Sequence, residues 1–489
     1  MTDAFIPPRA LSIAVGALLA LGAATASAQS GPLTLADALR LAGARNESIE
    51  IARAGEARAD AELLRVQSQR RPQISFLGSY SRTLASEFSG AFESGGPTCA
   101  PLSVNSSAPV AERVAELERA ASCGAIIPDL GFEDLPFGQR NIYQFQLSFS
   151  QTVYAGGRIS AEATRAALSR RAAEFSTTAA EAALALNVTQ AFYDAALTDR
   201  MVTIAESGFN QASATYDQIR LAFDAGRQSE FELLRAEVAR DSERPRVIRS
   251  RANREIAYLR LRQLLKLAPN APLALDADLD SIALPPPAPF AEALAAQRAA
   301  GATAERTVVT QAEALVGVRE ASVTAVQAER RPSVALTSSL APVGYPRSGV
   351  FPGADDFRTN WSVSASVSVP VLTGGRLKAA EAAAAADLTQ ARAELQQTRE
   401  LSVLDAATAL EDLAAAEAAL EASAGTVEQA ERAYQIAELR NREGLSTQLE
   451  LSDSRLALQV AQANRAQAAR DLQVARTRVA LLPNLPVAR

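Results

Sequence analysis

Tyr143-Gln144-Phe145-Gln146-Leu147-Ser148-Phe149-Ser150-Gln151-Thr152-Val153, followed at once by Tyr154-Ala155-Gly156-Gly157-Arg158, decides the fold of this chain. The odd positions are apolar except Gln151, and every even one is polar. Alternation of this length marks a strand with one apolar and one polar face. The stretch also has a second copy. Val153 to Arg158 recurs as Val371-Leu372-Thr373-Gly374-Gly375-Arg376, and ahead of it Trp361, Val363, Ala365, Val367, Val369 and Val371 alternate with Ser362, Ser364, Ser366 and Ser368. Upstream, Arg70-Arg71-Pro72 recurs as Arg330-Arg331-Pro332, each preceded by Val-Gln at the same offset (Val66-Gln67, Val326-Gln327). Each leads into a weaker alternation: Ile74, Phe76 and Tyr80 in one copy, Val334, Leu336 and Leu340 in the other. The interval from Arg158 to Gly226 equals that from Arg376 to Gly444. Three ordered coincidences with matched spacing make a tandem duplication.

Segments 158–225 and 376–443 contain no proline and one glycine each, Gly208 and Gly425. At about 1.5 Å per residue such a helix reaches roughly 100 Å, too long to fold back on itself. Helical patterns after Gly226 as far as Lys266, and over 290–331, supply two shorter partners; 445–482 and the N-terminal 34–70 supply two more. The chain is therefore expected to hold two long helices and two broken ones, packed antiparallel. Alanine runs such as Ala382 to Ala386 allow close approach. Pro269, Pro272 and Pro285-Pro286-Pro287 mark a linker, Pro483 and Pro486 end the last helix, and Pro245 is expected to kink the helix that contains it. The first repeat is then 29–270, the linker 271–289 and the second repeat 290–489. Segment 82–141, polar and rich in Gly, Pro and Ser, reads as a long exposed loop with a short helix from Val110 to Ala121; its counterpart 342–359 is much shorter.

Composition narrows the function. The 489 residues are 48% apolar but only 5% aromatic, which suits closely packed helices better than a bulky core. Histidine is absent, excluding Ser/His, Cys/His and His-metal constellations and making an enzyme, a metal site or a cofactor unexpected. A net charge of −6 argues against a nucleic-acid partner. Residues 1–28 read as a secretory signal: Arg9, an apolar run from Ala10 to Ala24, then Ala26-Ser27-Ala28 before Gln29. Export places Cys99 and Cys123 in an oxidising compartment, where they can form one bridge or remain two free thiols.

About ten tilted residues span a bilayer's hydrocarbon core, and aromatic residues near the strand ends (Tyr80, Tyr143, Tyr154, Trp361) suit an interfacial girdle. Four strands cannot close a barrel, and an open edge cannot be satisfied in lipid, so a membrane reading requires oligomerisation. The small polar face at Ser362, Ser364, Ser366 and Ser368 favours a wet lumen and hence three copies and twelve strands.

Further motifs make the chain similar to the TolC family of outer-membrane channel proteins. They are Thr34-Leu35-Ala36-Asp37-Ala38-Leu39 with Asn46, the Arg71-Pro72 strand entry, the Tyr154-Ala155-Gly156-Gly157-Arg158 strand exit and the Ala225-Gly226-Arg227-Gln228-Ser229-Glu230-Phe231 turn. Ser48 and Thr152 depart from the family pattern, where proline is usual; Pro370 keeps it in the second repeat. The resemblance implies a mainly α fold with a transmembrane β-barrel portion, a homotrimer closing twelve strands in outer-membrane lipid, and a long α-helical coiled-coil tunnel in the periplasm. It also implies a periplasmic adaptor and an inner-membrane transporter, of the RND or ABC type, as partners.

Gly226 and Gly444 fit the left-handed residue that ends a helix, and Ser229 with Glu232, like Thr447 with Glu450, has capping-box spacing. By resemblance these turns are the far tips of the tunnel. Glu450 and Asp453 would then line its closed entrance as a ring of carboxylates, and Gly226, Gly444, Leu445 and Ser446 would meet the adaptor. Capping alone also accounts for Glu450, and a solvated face for Asp453. Ser446 and Asn441 stand where the family often has an Arg–Tyr lock, leaving Arg440, Arg442 or Arg227 as substitutes. The expected function is the outer-membrane duct of a tripartite efflux system for small molecules. Alternatives are the duct of a type I protein secretion system, or a periplasmic adaptor or coiled-coil protein without a barrel.

Overall fold

The computed structural model describes residues 31–85, 100–122, 140–279, 281, 284–303, 305–346 and 349–487. The signal segment and the Cys99–Cys123 bridge lie outside these residues. In chain order the elements are helices α1 (Leu35–Ala44) and α2 (Glu47–Ser68), strand β1 (Gln73–Arg82), helix α3 (Val110–Ser122), strand β2 (Asn141–Ala155), helices α4 (Arg158–Asp224), α5 (Glu230–Leu264), α6 (Ala291–Ala300) and α7 (Thr307–Ala328), strands β3 (Ser333–Gly344) and β4 (Phe357–Ser368), and helices α8 (Arg376–Arg442) and α9 (Gln448–Leu481). The duplication is visible in the lengths: α4 and α8 have 67 residues each, α5 and α9 have 35 and 34.

Two expected helices are broken, at matching places. Residues 34–70 form a 10-residue and a 22-residue helix, and 290–331 do the same. In the first, Arg45 leaves helical geometry and buried Asn46 restarts the next helix, its Oδ1 accepting from the Ser48 amide at 2.9 Å. In the second, Gly301 adopts φ +66°, which glycine reaches without the Cβ penalty. Helix α5 runs through Pro245 as one element.

The chain divides into two units. One comprises Asp60–Ala167 and Val318–Leu388 and carries the sheet. Its strands pair antiparallel in the order β1-β2-β3-β4, leaving β1 and β4 as edges. Register places Ile74, Phe76, Phe145, Leu147, Leu340, Trp361 and Val363 on one face, and Ser148, Ser339 and the alternate serines of β4 on the other. The sequence exception Gln151 stays in register opposite Leu336 and its Nε2 donates to the Arg70 carbonyl at 2.7 Å; the ladder bulges just beyond it at Val153, where register shifts between Thr152 and Tyr154. Strand β4 stops at Ser368, short of the alternation read through Val371, because Pro370 has no amide to continue the ladder. Past β2, Gly156 (φ +63°) allows the chain against α7: a Cβ there would lie 2.6 Å from the Ala328 carbonyl oxygen. Arg331 clamps the same turn by donating to the Gly156 carbonyl at 3.1 Å.

The other unit comprises residues up to Ala59, Leu168–Gly317 and Thr389–Arg489. Its core gathers Leu35 and Ala38 of α1, Val188 and Phe192 of α4, Tyr258 and Leu261 of α5, Phe290, Leu294 of α6, and Leu472, Val479 and Leu482 at the end of the chain. The linker is not loose: Leu33 bridges Leu275 in parallel, with the Leu33 amide donating to Ala274 and the Asp276 amide to Leu33.

Candidate functional site

Two helix-turn-helix tips and the two faces of the sheet hold the residues singled out from sequence. At each tip the long helix ends in a Schellman turn. Gly226 has φ +73° and Gly444 +71°, and the following amides, Arg227 and Leu445, donate back to Ala222 and Arg440, each at 2.8 Å. The return helices start from side-chain caps: Ser229 Oγ accepts from the Glu232 amide and Thr447 Oγ1 from the Glu450 amide, both at 3.3 Å. This is the hydroxyl arm of the capping box expected from sequence.

Leu445 is exposed, and Ser446 is tied inward. Ser446 Oγ donates to the Ala437 carbonyl at 3.4 Å, while Asn441 Nδ2 donates to the Ser446 carbonyl at 3.2 Å. The two residues that replace the Arg–Tyr lock thus hold their own turn closed. Arg442 pairs with Glu438 at 2.6 Å on its own helix. Glu450 and Asp453 are both exposed on the first turns of α9, three residues apart and hence on one face.

Behind the tip lies a buried group that sequence reasoning missed. Arg455 and Glu243, 7% and 5% exposed, face each other at 3.8 Å between α9 and α5, and burial pushes the Arg455 guanidinium below its usual range. Arg246 reaches Glu243 and, at 3.2 Å, the Gln459 amide oxygen. Gly208 of α4 leaves the room that the Gln459 side chain fills. A second missed group centres on Arg306, 1% exposed, which donates to the carbonyls of Ser402, Leu482 and Leu485 and to Asp405 at 2.8 Å. Arg478 binds the other oxygen of Asp405 at 2.9 Å. Charged residues on a helical pattern read as solvated faces until packing is known, so neither group has a sequence signal beyond Arg306 preceding a helix start.

The sheet presents two unlike surfaces. Phe76 and Phe145 stack at 6.2 Å, Tyr80 and Tyr143 lie 4.8 Å apart, and Phe145 and Phe357 6.0 Å apart. Gly78 and Gly344 stand beneath these rings where a Cβ would touch them. Ile74, Phe76, Trp361, Val363 and Val367 are exposed. An exposed apolar face of this size marks an interaction with membrane or protein. No helix among the described residues is long and apolar enough to cross a membrane, and no group of metal-ligating side chains occurs among them.

Residues 300–484 match the profile of the Outer membrane efflux protein family. No curated protein is similar enough in sequence to count as a relative. Among solved structures, the outer membrane protein VceC of Vibrio cholerae superposes with a TM-score of 0.68 at 17% identity, covering 92% of this chain and 96% of VceC. The outer-membrane channel OprN gives 0.66 at 20% identity, covering 93% and 90%. The MtrE outer membrane channel of Neisseria gonorrhoeae, in its open state, gives 0.66 at 18%, covering 92% and 89%. These likenesses establish the fold over nearly the whole chain, and the profile match covers most of its second repeat. Residues 300–484 are thus similar to the Outer membrane efflux protein family, and the chain, with its duplicated strand-pair and long-helix plan, shares the fold of these outer-membrane channels.

Proposed function

We infer that the chain is the outer-membrane duct of a tripartite efflux system that carries small molecules from the cell envelope to the exterior. Three copies close their sheets into a twelve-stranded barrel, and their helices continue it as a coiled-coil tunnel through the periplasm. The repeats 29–270 and 290–489 supply equivalent halves of each protomer. An adaptor grips the tips around Gly226, Gly444, Leu445 and Ser446, and an inner-membrane transporter supplies the energy. Six carboxylates, Glu450 and Asp453 from each copy, ring the entrance. The observation that carries this reading is the four-stranded sheet, apolar on one face, serine-lined on the other, with both edges unpaired among the described residues. Unpaired edges are not tolerated in lipid, and four strands cannot close alone.

The test is fractionation with phenotype. A heat-modifiable trimer in the outer-membrane fraction, whose deletion sensitises cells to small toxic compounds, supports the duct. A soluble periplasmic monomer overturns it. Unchanged sensitivity together with loss of a secreted protein reassigns the same duct to protein secretion.

A further inference from the structure

Between α8, α9 and the linker lies a cleft of about 430 Å³. Its bed is apolar: Leu284 of the linker, Leu420 and Ala424 of α8, and Leu472 of α9. Four charged residues complete the lining, Glu417 and Glu421 one turn apart on α8, Arg465 and Arg476 about three turns, or about 16 Å, apart on α9. Glu421 and Arg465 belong to the end nearer the Gly444 turn, Glu417 and Arg476 to the end nearer the linker. A concavity of this size, apolar with a few convergent polar groups, suits a small organic ligand.

Arg476 shows which charge that ligand carries. Its side chain is only 13% exposed, yet among the described residues the guanidinium makes a single hydrogen bond, from Nη1 to the Leu284 carbonyl at 2.6 Å. Its Nε is buried without a partner. The carboxylate facing it is Glu417, whose Oε1 stands 4.0 Å from Nη2 and is already bonded to Arg298. Two arginines therefore share one carboxylate oxygen, and Arg476 holds the weaker share. Burial pulls its guanidinium below the usual range, an effect that Glu417 offsets and Arg298 reinforces. The contrast with Arg306 is direct: that guanidinium, equally removed from water, has a carboxylate and three carbonyls. A buried cation with most of its donors unspent calls for an anionic acceptor.

We propose that this cleft binds a small organic anion, a single carboxylate or sulfonate on an apolar ring or chain, with its oxygens on Arg476 and its apolar body on Leu284, Leu420 and Leu472. The site goes beyond the duct reading and does not depend on it, since one chain supplies the whole lining. A bound anion completes the partners of Arg476 at the point where the linker, α8 and α9 converge, so occupancy also resists thermal unfolding.

The test is equilibrium dialysis of naphthalenesulfonate against the full chain in a non-ionic detergent, with empty micelles as the blank. One saturable site per chain is expected. Naphthalenesulfonamide, which lacks the charge, naphthylmethylammonium, which reverses it, and inorganic sulfate, which lacks the ring, should each bind at least tenfold more weakly. Arg476→Gln should weaken the sulfonate at least tenfold and leave the sulfonamide unchanged. Ala424→Glu adds a carboxylate to the cleft while keeping the Arg476 bond to Leu284, and should weaken the sulfonate as much; it decides the matter if Arg476→Gln misfolds. The sulfonate should raise the thermal midpoint of the wild type and of neither variant. Binding that is absent, that the sulfonamide or sulfate matches, or that survives both substitutions overturns the site. None of these results touches the duct, which fractionation tests separately.

Discussion

Arg306 heads the large side chains that are fully buried, and its guanidinium spends nearly all its donors on three backbone carbonyls and one carboxylate. Two of those carbonyls, Leu482 and Leu485, belong to the chain's last turns, so one planar fork staples the C-terminus to α8. Arg306→Met is expected to cost about 3 kcal/mol in chemical denaturation of the purified protein, because it strands buried acceptors. Arg306→Lys should recover less than half, since a point charge cannot reproduce the fork. The glycines separate by the same logic. Gly226→Ala or Gly444→Ala should lose about 1–2 kcal/mol, since both have φ near +70°. Gly425, inside α8 with nothing within 4 Å of an added Cβ, should gain about 0.5–1 kcal/mol from Gly425→Ala in the same assay.

At the scale of elements, Ser229→Ala and Thr447→Ala should each cost about 1 kcal/mol, read as earlier melting of the tip region in hydrogen exchange. Glu450→Gln with Asp453→Asn should reduce single-channel cation selectivity; unchanged selectivity would leave capping and solvation as their whole role. Elements were also the scale most legible in sequence. The boundaries of α4 and α8 follow from proline-free runs between glycine punctuation, and α3 from its amphipathic pattern. The breaks at Arg45-Asn46 and Gly301 are not legible as breaks, because the backbone leaves helical geometry there for only a few residues. The break in alternation at Gln151 is visible in sequence, but its cause, the side-chain bond to the Arg70 carbonyl, is a tertiary contact. The exposed tip residues could be placed from turn chemistry alone. The buried pair Glu243–Arg455 could not, because nothing in a helix's sequence says which charged residue will meet its counterpart across a neighbour.

At the scale of the whole molecule the expectations concern assembly. The proposed trimer, closed through strand edges and apolar faces, should hold or tighten, by native mass or light scattering, as salt rises from about 0.05 to about 0.5 M.

The sequential order β1-β2-β3-β4 has a further consequence. Each half of the chain contributes one hairpin, and the two join antiparallel through β2 and β3. The proposed ring of three full chains would then be a ring of six half-chains in which alternate peptide connections have been sealed. Sealing them lowers the symmetry from sixfold to threefold and frees alternate hairpins to diverge. The divergence is already written in the outward connections: residues 83–140 join one hairpin, while residues 345–356 suffice for the other. The proposed ring would carry three long connections and three short ones, an inequality that no ring of identical half-chains could encode.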